Sequence, residues 1–474
     1  MAFLMFKAIY EVKIMSNNNG QLNKRVWIGL VLFIFMGSMA GTAQGTLTSV
    51  FLDNTVFDQG SMGAKITLTD AVNIITSVSA VISCITAFIM GTLSEKLRNR
   101  KIFISVGYII WGIMTVLFGV IKKDVVAKMF GYTDAAQIVS TTAWIIIGFA
   151  FMMTVVRATG DDSVFDAWIT DVTTPKTTVI VESIVTMMGF VTTGIITAMI
   201  TKAQAGQVSY NTLFILIGVL AIIVGIAGFY VIDNPKKFEN AEKRNTSYWA
   251  DLFYGFRPKA IKENTSLYLI LLSGCTFNCA VQSFIPYLIV YFTSVVIPAN
   301  GGEEFNIGGF AVIGVMAITI ALESILILMK LVMKKKAYSF IPSVICLIVG
   351  LLILSATKNI YLIIIGLTPG LIGYITIMIQ FGATVRDNIP QDKVGLFQGI
   401  RMIFLVMIPM IVGPTLGNIA AKNSDVTYME NGAEKVLPTE LMFLYAAIVA
   451  VLIFIPMLAF LKRDSQKAKE TVSE

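Results

Sequence analysis

Twelve stretches dominated by apolar residues alternate along the chain with short polar segments, at 26–52, 70–92, 102–121, 139–160, 179–201, 211–232, 266–292, 309–329, 338–356, 360–384, 395–421 and 441–461. Each is about as long as a helix needs to be to cross roughly 30 Å of hydrocarbon. The pattern predicts an all-α membrane protein with twelve transmembrane helices. The first run is too long for a signal peptide and has no clean small-residue cleavage site, so it reads as the first span. Met15 opens a polar stretch, SNNNGQLNKR, of the kind that precedes a first span. Residues 1–14 are therefore either upstream of the true start or a short amphipathic arm.

The longest hydrophilic segment, 233–263, separates the sixth run from the seventh and divides the chain into two six-span halves. The expected organisation is an N-terminal arm (1–25), a first six-helix bundle (26–232), a linker (233–265), a second six-helix bundle (266–461) and a tail (462–474). Within the linker, Trp249, Leu252, Phe253 and Phe256 recur at helical spacing, with Arg257, Lys259 and Lys262 following. This predicts an interfacial helix with an aromatic face among lipid headgroups. The halves echo each other, since Asp171 precedes Pro175 before span five and Asp387 precedes Pro390 before span eleven. With the matching span number, that fits a duplicated unit.

Composition agrees: 56% of residues are hydrophobic and 14% charged, and the mean hydropathy is +0.79, far from a soluble protein. The net charge of +7 raises the question of nucleic acid, but the basic residues lie between apolar runs, so the lipid surface is the expected acidic neighbour and no nucleic-acid partner is expected. With both termini inside, the inside segments hold 26 Lys and Arg against eight in the outside loops. Positive loops stay in the cytoplasm, so the expected location is the cytoplasmic membrane with both termini cytoplasmic. The chain has no His, which removes most zinc and haem sites and the histidine-based nucleophile systems. Proton chemistry falls to carboxylates. The four Cys lie inside apolar runs, as small hydrophobes do, and no metal site is expected.

Between spans two and three stands Gly91-Thr-Leu-Ser-Glu95-Lys96-Leu-Arg98-Asn-Arg100-Lys101. It is similar to the loop signature G-x-x-x-D-[RK]-x-G-x-R-[RK] of the major facilitator superfamily. Glu95 stands where Asp is usual, and Arg98 where a second Gly would ease a tight turn. Arg157-Ala-Thr-Gly160, at the inner end of span four, resembles the family's Arg-bearing fourth-helix motif with one residue fewer before the Gly. The DDSVFDAWITD that follows resembles little-characterised bacterial members. The resemblance implies two pseudo-symmetric six-helix bundles around a central cavity, rocking to expose it on alternate sides.

Charges inside spans are expensive, about 2.5–3.5 kcal/mol each on insertion scales, so each needs a partner or a task. Five ionisable residues of this kind fall within the runs: Asp70, Arg157, Glu182, Glu323 and Arg401. Asp70 lies at an outer boundary and is expected to be solvated. Gly91, Glu95, Arg100, Lys101, Arg157 and Glu182 resemble the charge network that latches the cytoplasmic side in this family; a static ion-pair cluster is the alternative. Arg401 fits the latch or the cavity equally. Glu323 sits near mid-depth of span eight with no basic residue one turn away, which makes it the first candidate for ion coupling, ahead of Asp161, Asp162 and Asp166. The family implies that spans one, four, seven and ten line the cavity. Polar residues near mid-depth there are Thr42, Gln44, Asn278, Gln282, Tyr287, Tyr374 and Gln380, candidates for substrate binding that ordinary helix–helix hydrogen bonding explains equally well. Gly413-Pro414-Thr-Leu-Gly417 in span eleven reads as a close-packing or kink motif.

These readings converge on a monomeric secondary transporter that moves a small polar organic solute, sugar-like by preference, by cation-coupled symport, with a proton or sodium ion and no other cofactor. The rival is a proton-coupled exporter of drugs or metabolites. Such exporters usually carry G-x-x-x-G-P-x-x-G-G in span five, where this chain has Gly189-Phe-Val-Thr-Thr-Gly194 without Pro. A membrane-embedded receptor or enzyme is disfavoured, because the sequence holds no nucleophile–base constellation or nucleotide loop.

Overall fold

The computed structural model of the chain describes residues 22–57, 65–240, 247–300, 336–422, 427–430, 433–436 and 439–473. Ten helices among these residues are long and apolar enough to span a membrane. In the order of the expected runs they are span one (Lys24–Val56), two (Asp70–Leu97), three (Arg100–Phe118), four (Ala135–Val172), five (Thr178–Gln204), six (Tyr210–Val231), seven (Thr265–Tyr287), ten (Ile360–Asn388), eleven (Gln391–Ala420) and twelve (Leu441–Gln466). Span nine is the helix Lys336–Ser355. Span eight, with Glu323, lies outside the described residues.

Several helices outrun their apolar stretches. Span four continues through a π-helical segment, Ala158–Phe165, and on to Val172, although hydropathy falls at residue 160. The extension is sustained because Trp168 and Ile169 are buried and because Asp161, Asp162 and Asp166 each face a basic partner. Span two carries Gly91 to Leu97 on its helix, so the signature read as a loop is mostly helical and the turn is confined to Arg98 and Asn99. Arg98 makes that turn in the left-handed region, φ 55° and ψ 36°, where glycine would be at ease. Asp70 closes a capping box with Thr67 at the start of span two.

The linker departs from its expected single helix. Among the described residues it forms four short pieces, Lys237–Asn240, Tyr248–Leu252, Tyr254–Phe256, where Gly255 packs against Ile400, and Pro258–Glu263, where Pro258 starts a new turn. Trp249, Phe253 and Phe256 remain exposed while Leu252 is buried. Tyr248 donates to the carbonyl of Ile89 on span two at 3.0 Å, and Lys393 at the start of span eleven donates to Tyr254 at 3.0 Å, so the linker touches both halves. A two-stranded hairpin, Thr427–Glu430 with Ala433–Val436, lies between spans eleven and twelve, an addition to the all-α body.

Among the described residues two large hydrophobic cores form, with a small third cluster of Cys84, Ala87 and Met402 between spans two and eleven. The first gathers spans one to six and takes in Ile375, Ile379 and Ala383 of span ten. The second gathers spans seven and nine to twelve and takes in Ala167 of span four. Exposed Ile, Leu and Val recur at helical spacing on spans three, six, nine and twelve, for example Ile113, Ile223, Ile345 and Ile455, the stripes such helices offer to lipid tails. The halves meet chiefly where span two packs on span eleven and span five on span ten.

Candidate functional site

Among the described residues, the buried ion pairs of the spans fall into three groups rather than one network. The first surrounds Arg157 and lies wholly in the N-terminal half. The π-helical turn after Arg157 widens the backbone and brings two successive acids round to the guanidinium. Asp162 receives two hydrogen bonds from Arg157, each 2.8 Å, and a third from Ser83 at 2.7 Å. Asp161 stands 3.6 Å from the same guanidinium and accepts a hydrogen bond from Tyr108 at 2.7 Å. Gln44 accepts from Arg157 Nε at 3.2 Å and its amide reaches Thr154. One guanidinium thus serves two carboxylates, leaving the group one negative charge in excess. Arg157 and Asp162 form part of the wall of a cavity of about 260 Å³, with Gln44, Thr76, Ser79, Ser83 and Thr154 from the N-terminal half and Met402, Val406 and Met410 from span eleven.

The other two groups sit where the halves join. Arg386, at the end of span ten and 2% exposed, reaches across to Glu182 of span five and to Asp166 Oδ1 at 2.6 Å. It also donates to Thr170 and to the carbonyl of Asp166, each at 2.8 Å. Arg401 pairs with the same Asp166, so two cations of the C-terminal half face two acids of the N-terminal half. Separately, Glu95 and Asp171 hold Arg100 and the linker's Lys237; the Lys237 ammonium lies 3.0 Å from Glu95 and 2.8 Å from Asp171. This third group also crosses the seam. Glu95 accepts from the backbone N–H of Gly395 at 2.9 Å, at the N-terminal end of a helix where a carboxylate is favoured, and Lys237 donates to the carbonyl of Gln391 at 2.9 Å. Gly91 lets the backbones close here: a Cβ on it would lie 2.7 Å from the carbonyl oxygen of Gly395.

Comparison with known proteins fits this arrangement. The sequence model of the major facilitator superfamily matches residues 26–414. The chain belongs to that superfamily. Among solved structures, the human organic anion transporter MFSD10 superposes with a TM-score of 0.65 at 11% identity, covering 92% of this chain and 100% of its own. The proton:xylose symporter XylE, bound to 6-bromo-6-deoxy-D-glucose, gives 0.66 at 12% identity over 93% and 97%. The transporter FucP in its outward conformation gives 0.61 at 12% over 91% and 98%. No curated protein matches the sequence. At these identities the structural likeness carries the fold alone.

Within this major facilitator, the sequence candidates separate. Arg157, grouped with Glu95 and Glu182 on sequence grounds, belongs instead to the cavity, because its partners Asp161 and Asp162 follow it on its own helix. Glu182 finds Arg386, a residue counted from sequence as a loop cation; the helix runs on to Asn388 and carries it inward. Its only sequence signal was its place in the Arg386-Asp387 pair that echoes the Asp171 loop. Arg401 falls at the seam. Asp166, an ion-coupling candidate, is likewise a seam residue, while Asp161 and Asp162 are not. Lys101 is the second residue of span three, its backbone N–H capped by Asn234 at 3.0 Å.

Of the substrate candidates, Gln44 alone lines the described cavity. Thr42 bonds back to the carbonyl of Ser38 at 3.0 Å. Asn278 donates to Leu405 at 3.1 Å, and Tyr287 reaches Pro414 and Asn418 at 3.2 and 2.7 Å, so both tie span seven to span eleven. Gln282 packs on Gly413 in the same contact, which accounts for the small residues there. Gln380 is fully buried and donates to Ser339 on span nine at 2.6 Å. Tyr374 stacks near Phe277, with ring centroids 5.7 Å apart, and touches both hydrophobic cores. Thr76, Ser79, Ser83 and Thr154 were missed, because small hydroxyls are ordinary in apolar runs, where they can bond to the preceding turn as Thr76 and Thr154 do, and they leave no trace in the pattern.

Proposed function

We propose that this protein is a secondary active transporter that carries a small polar organic solute across the cytoplasmic membrane by alternating access, coupled to a proton or sodium ion in the symport direction. The observation that carries the reading is the unbalanced Arg157–Asp161–Asp162 group, of which Arg157 and Asp162 line the cavity between the halves. An uncompensated charge inside a membrane protein is costly, so the site favours binding one extra cation. The hydroxyls and amide around it suit a hydroxylated, sugar-like solute, and about 260 Å³ lies below the range of roughly 300–1,000 Å³ typical of drug-sized pockets. With the basic segments taken as cytoplasmic, the two seam groups close the cytoplasmic side. Glu323, outside the described residues, remains a second coupling candidate. The exporter reading draws support from Met402, Val406 and Met410, an adaptable apolar wall suited to lipophilic solutes.

A thermal-shift screen of the purified protein against sugars, nucleosides, amino acids and organic cations, with and without sodium, identifies the solute by its stabilisation. In proteoliposomes an inward proton or sodium gradient should then drive that solute above its equilibrium level, and Glu323→Gln separates its contribution from that of Asp161. Uptake that only equilibrates and ignores both gradients would overturn coupling; accumulation driven by an outward-directed exchange of protons for solute would favour the exporter.

A further inference from the structure

We infer that Asp161, rather than Asp162, takes up and releases the coupling proton, and that Tyr108 is the positioning residue that keeps it hydrogen-bonded in both states. The inference rests on the cation-coupled reading and adds the division of labour between the two acids.

Asp162 has the properties of a fixed counter-ion. Both of its oxygens are engaged by Arg157 at 2.8 Å, and Ser83 adds a third bond at 2.7 Å. Charge-assisted, bidentate bonds of this kind hold the ionised form. Asp161 has a weaker claim on the same guanidinium, which stands 3.6 Å away, and its close partner is the neutral hydroxyl of Tyr108. Span one offers it bare backbone: a Cβ on Gly37 would fall 2.4 Å from Oδ1 and 2.7 Å from Oδ2. The titratable groups facing it are Arg157 and Asp162 on its own span and Tyr108 on span three.

Tyr108 has one hydroxyl hydrogen and two acceptors in reach, Asp161 Oδ1 at 2.7 Å and the carbonyl oxygen of Phe33 at 3.2 Å. When Asp161 is ionised, the hydroxyl donates to it. When Asp161 is protonated, the acid donates to Tyr108 Oη and the hydroxyl hydrogen turns to Phe33. Neither state leaves a buried polar atom without a partner, which is the condition for changing charge there without a large penalty. The proton passes between water and the Asp161 carboxyl, whose side chain is 17% exposed, and Tyr108 keeps its own. Arg157 and Asp162 face the cavity, so a solute that engages them alters the share of the guanidinium left to Asp161.

Infrared difference spectra of the purified protein in lipid, between alkaline and acidic buffer and with no solute, read the carboxylic-acid C=O stretch directly. Asp161→Asn should remove a titrating band, but this alone does not name the owner, because removing either acid relieves the pair. The deciding variants are Tyr108→Phe and Ser83→Ala, which touch Asp161 and Asp162 respectively. Tyr108→Phe should keep the band and displace it to higher frequency, as for an acid that has lost its acceptor; Ser83→Ala should leave it in place. Displacement by Ser83→Ala, no displacement by Tyr108→Phe, or no titrating band in the parent protein overturns the inference. Transport is not involved, so gradient-driven uptake without this band would refute the assignment alone, and the band in a protein that never concentrates solute would refute the transport reading alone.

Discussion

Arg386 illustrates how much one side chain decides. It is 2% exposed and bonded to Glu182, Asp166 and Thr170 of the opposite half, so it holds two helix ends of different bundles together. Removing one partner of a buried ion pair costs about 3–5 kcal/mol, because the other charge stays buried without compensation. Parting the halves exposes Glu182 and Asp166 to water and relieves that penalty. Arg386→Ala should therefore shift the population towards a state open at this face, approaching the roughly 5.5 kcal/mol that inverts a 1:99 equilibrium. Spin labels at the exposed positions Lys176 and Asp392 should report longer distances in Arg386→Ala. Arg157→Ala, whose ion pairs stay within one half, should leave them unchanged. Equal distances in both variants would reduce the seam group to a static neutraliser.

At the level of elements, helix length is set by partners as much as by hydropathy. Spans two, four and ten run past their apolar stretches because the polar residues on the added turns meet opposite charges. The π-helical segments Ala43–Leu47, Ala158–Phe165 and Ile403–Met407 supply Gln44, Asp162 and Val406 to the cavity, so spans one, four and eleven are widened where they meet the site, while span two lines it as a regular α-helix. The turn from span two to span three has a different economy: Arg98 adopts a left-handed backbone at φ 55° that disfavours any residue with a Cβ. Arg98→Gly should raise the apparent Tm of the purified protein by the equivalent of about 0.5–1 kcal/mol, the left-handed penalty less glycine's entropy. A lowered Tm would mean that contacts of the Arg98 side chain outweigh the strain.

For the whole molecule, the alternating access proposed above expects the halves, each with its own large core, to move as bodies, and the bias of the basic residues predicts which way they face. In a variant with Cys84, Cys275, Cys279 and Cys346 replaced, single cysteines at Lys65 and Lys259 should report opposite sides of the membrane. A membrane-impermeant thiol reagent added to intact cells should modify the first and spare the second until the cells are opened. Labelling of both from outside would reverse the assignment of the seam groups to the cytoplasmic side.

Hydrophobic run length and the Gly91–Lys101 signature were enough to read the superfamily, its helical class and the positions of the described spans from the sequence, because crossing hydrocarbon imposes a length on each segment whatever its neighbours are. That Arg157 needs a partner was legible from its place in a span, but that its partners are Asp161 and Asp162 rather than Glu95 and Glu182 was decided by the packing. The pairings of Arg386 with Glu182 and of Glu95 with the N–H of Gly395 were not legible either, for these partners are 204 and 300 residues apart. Nor was it legible that Asn278, Tyr287 and Gln380 spend their polar atoms on neighbouring helices while small hydroxyls face the cavity. A polar residue in a span announces only that it needs a partner. Which partner it receives depends on how the helices pack, and that is decided by the tertiary structure.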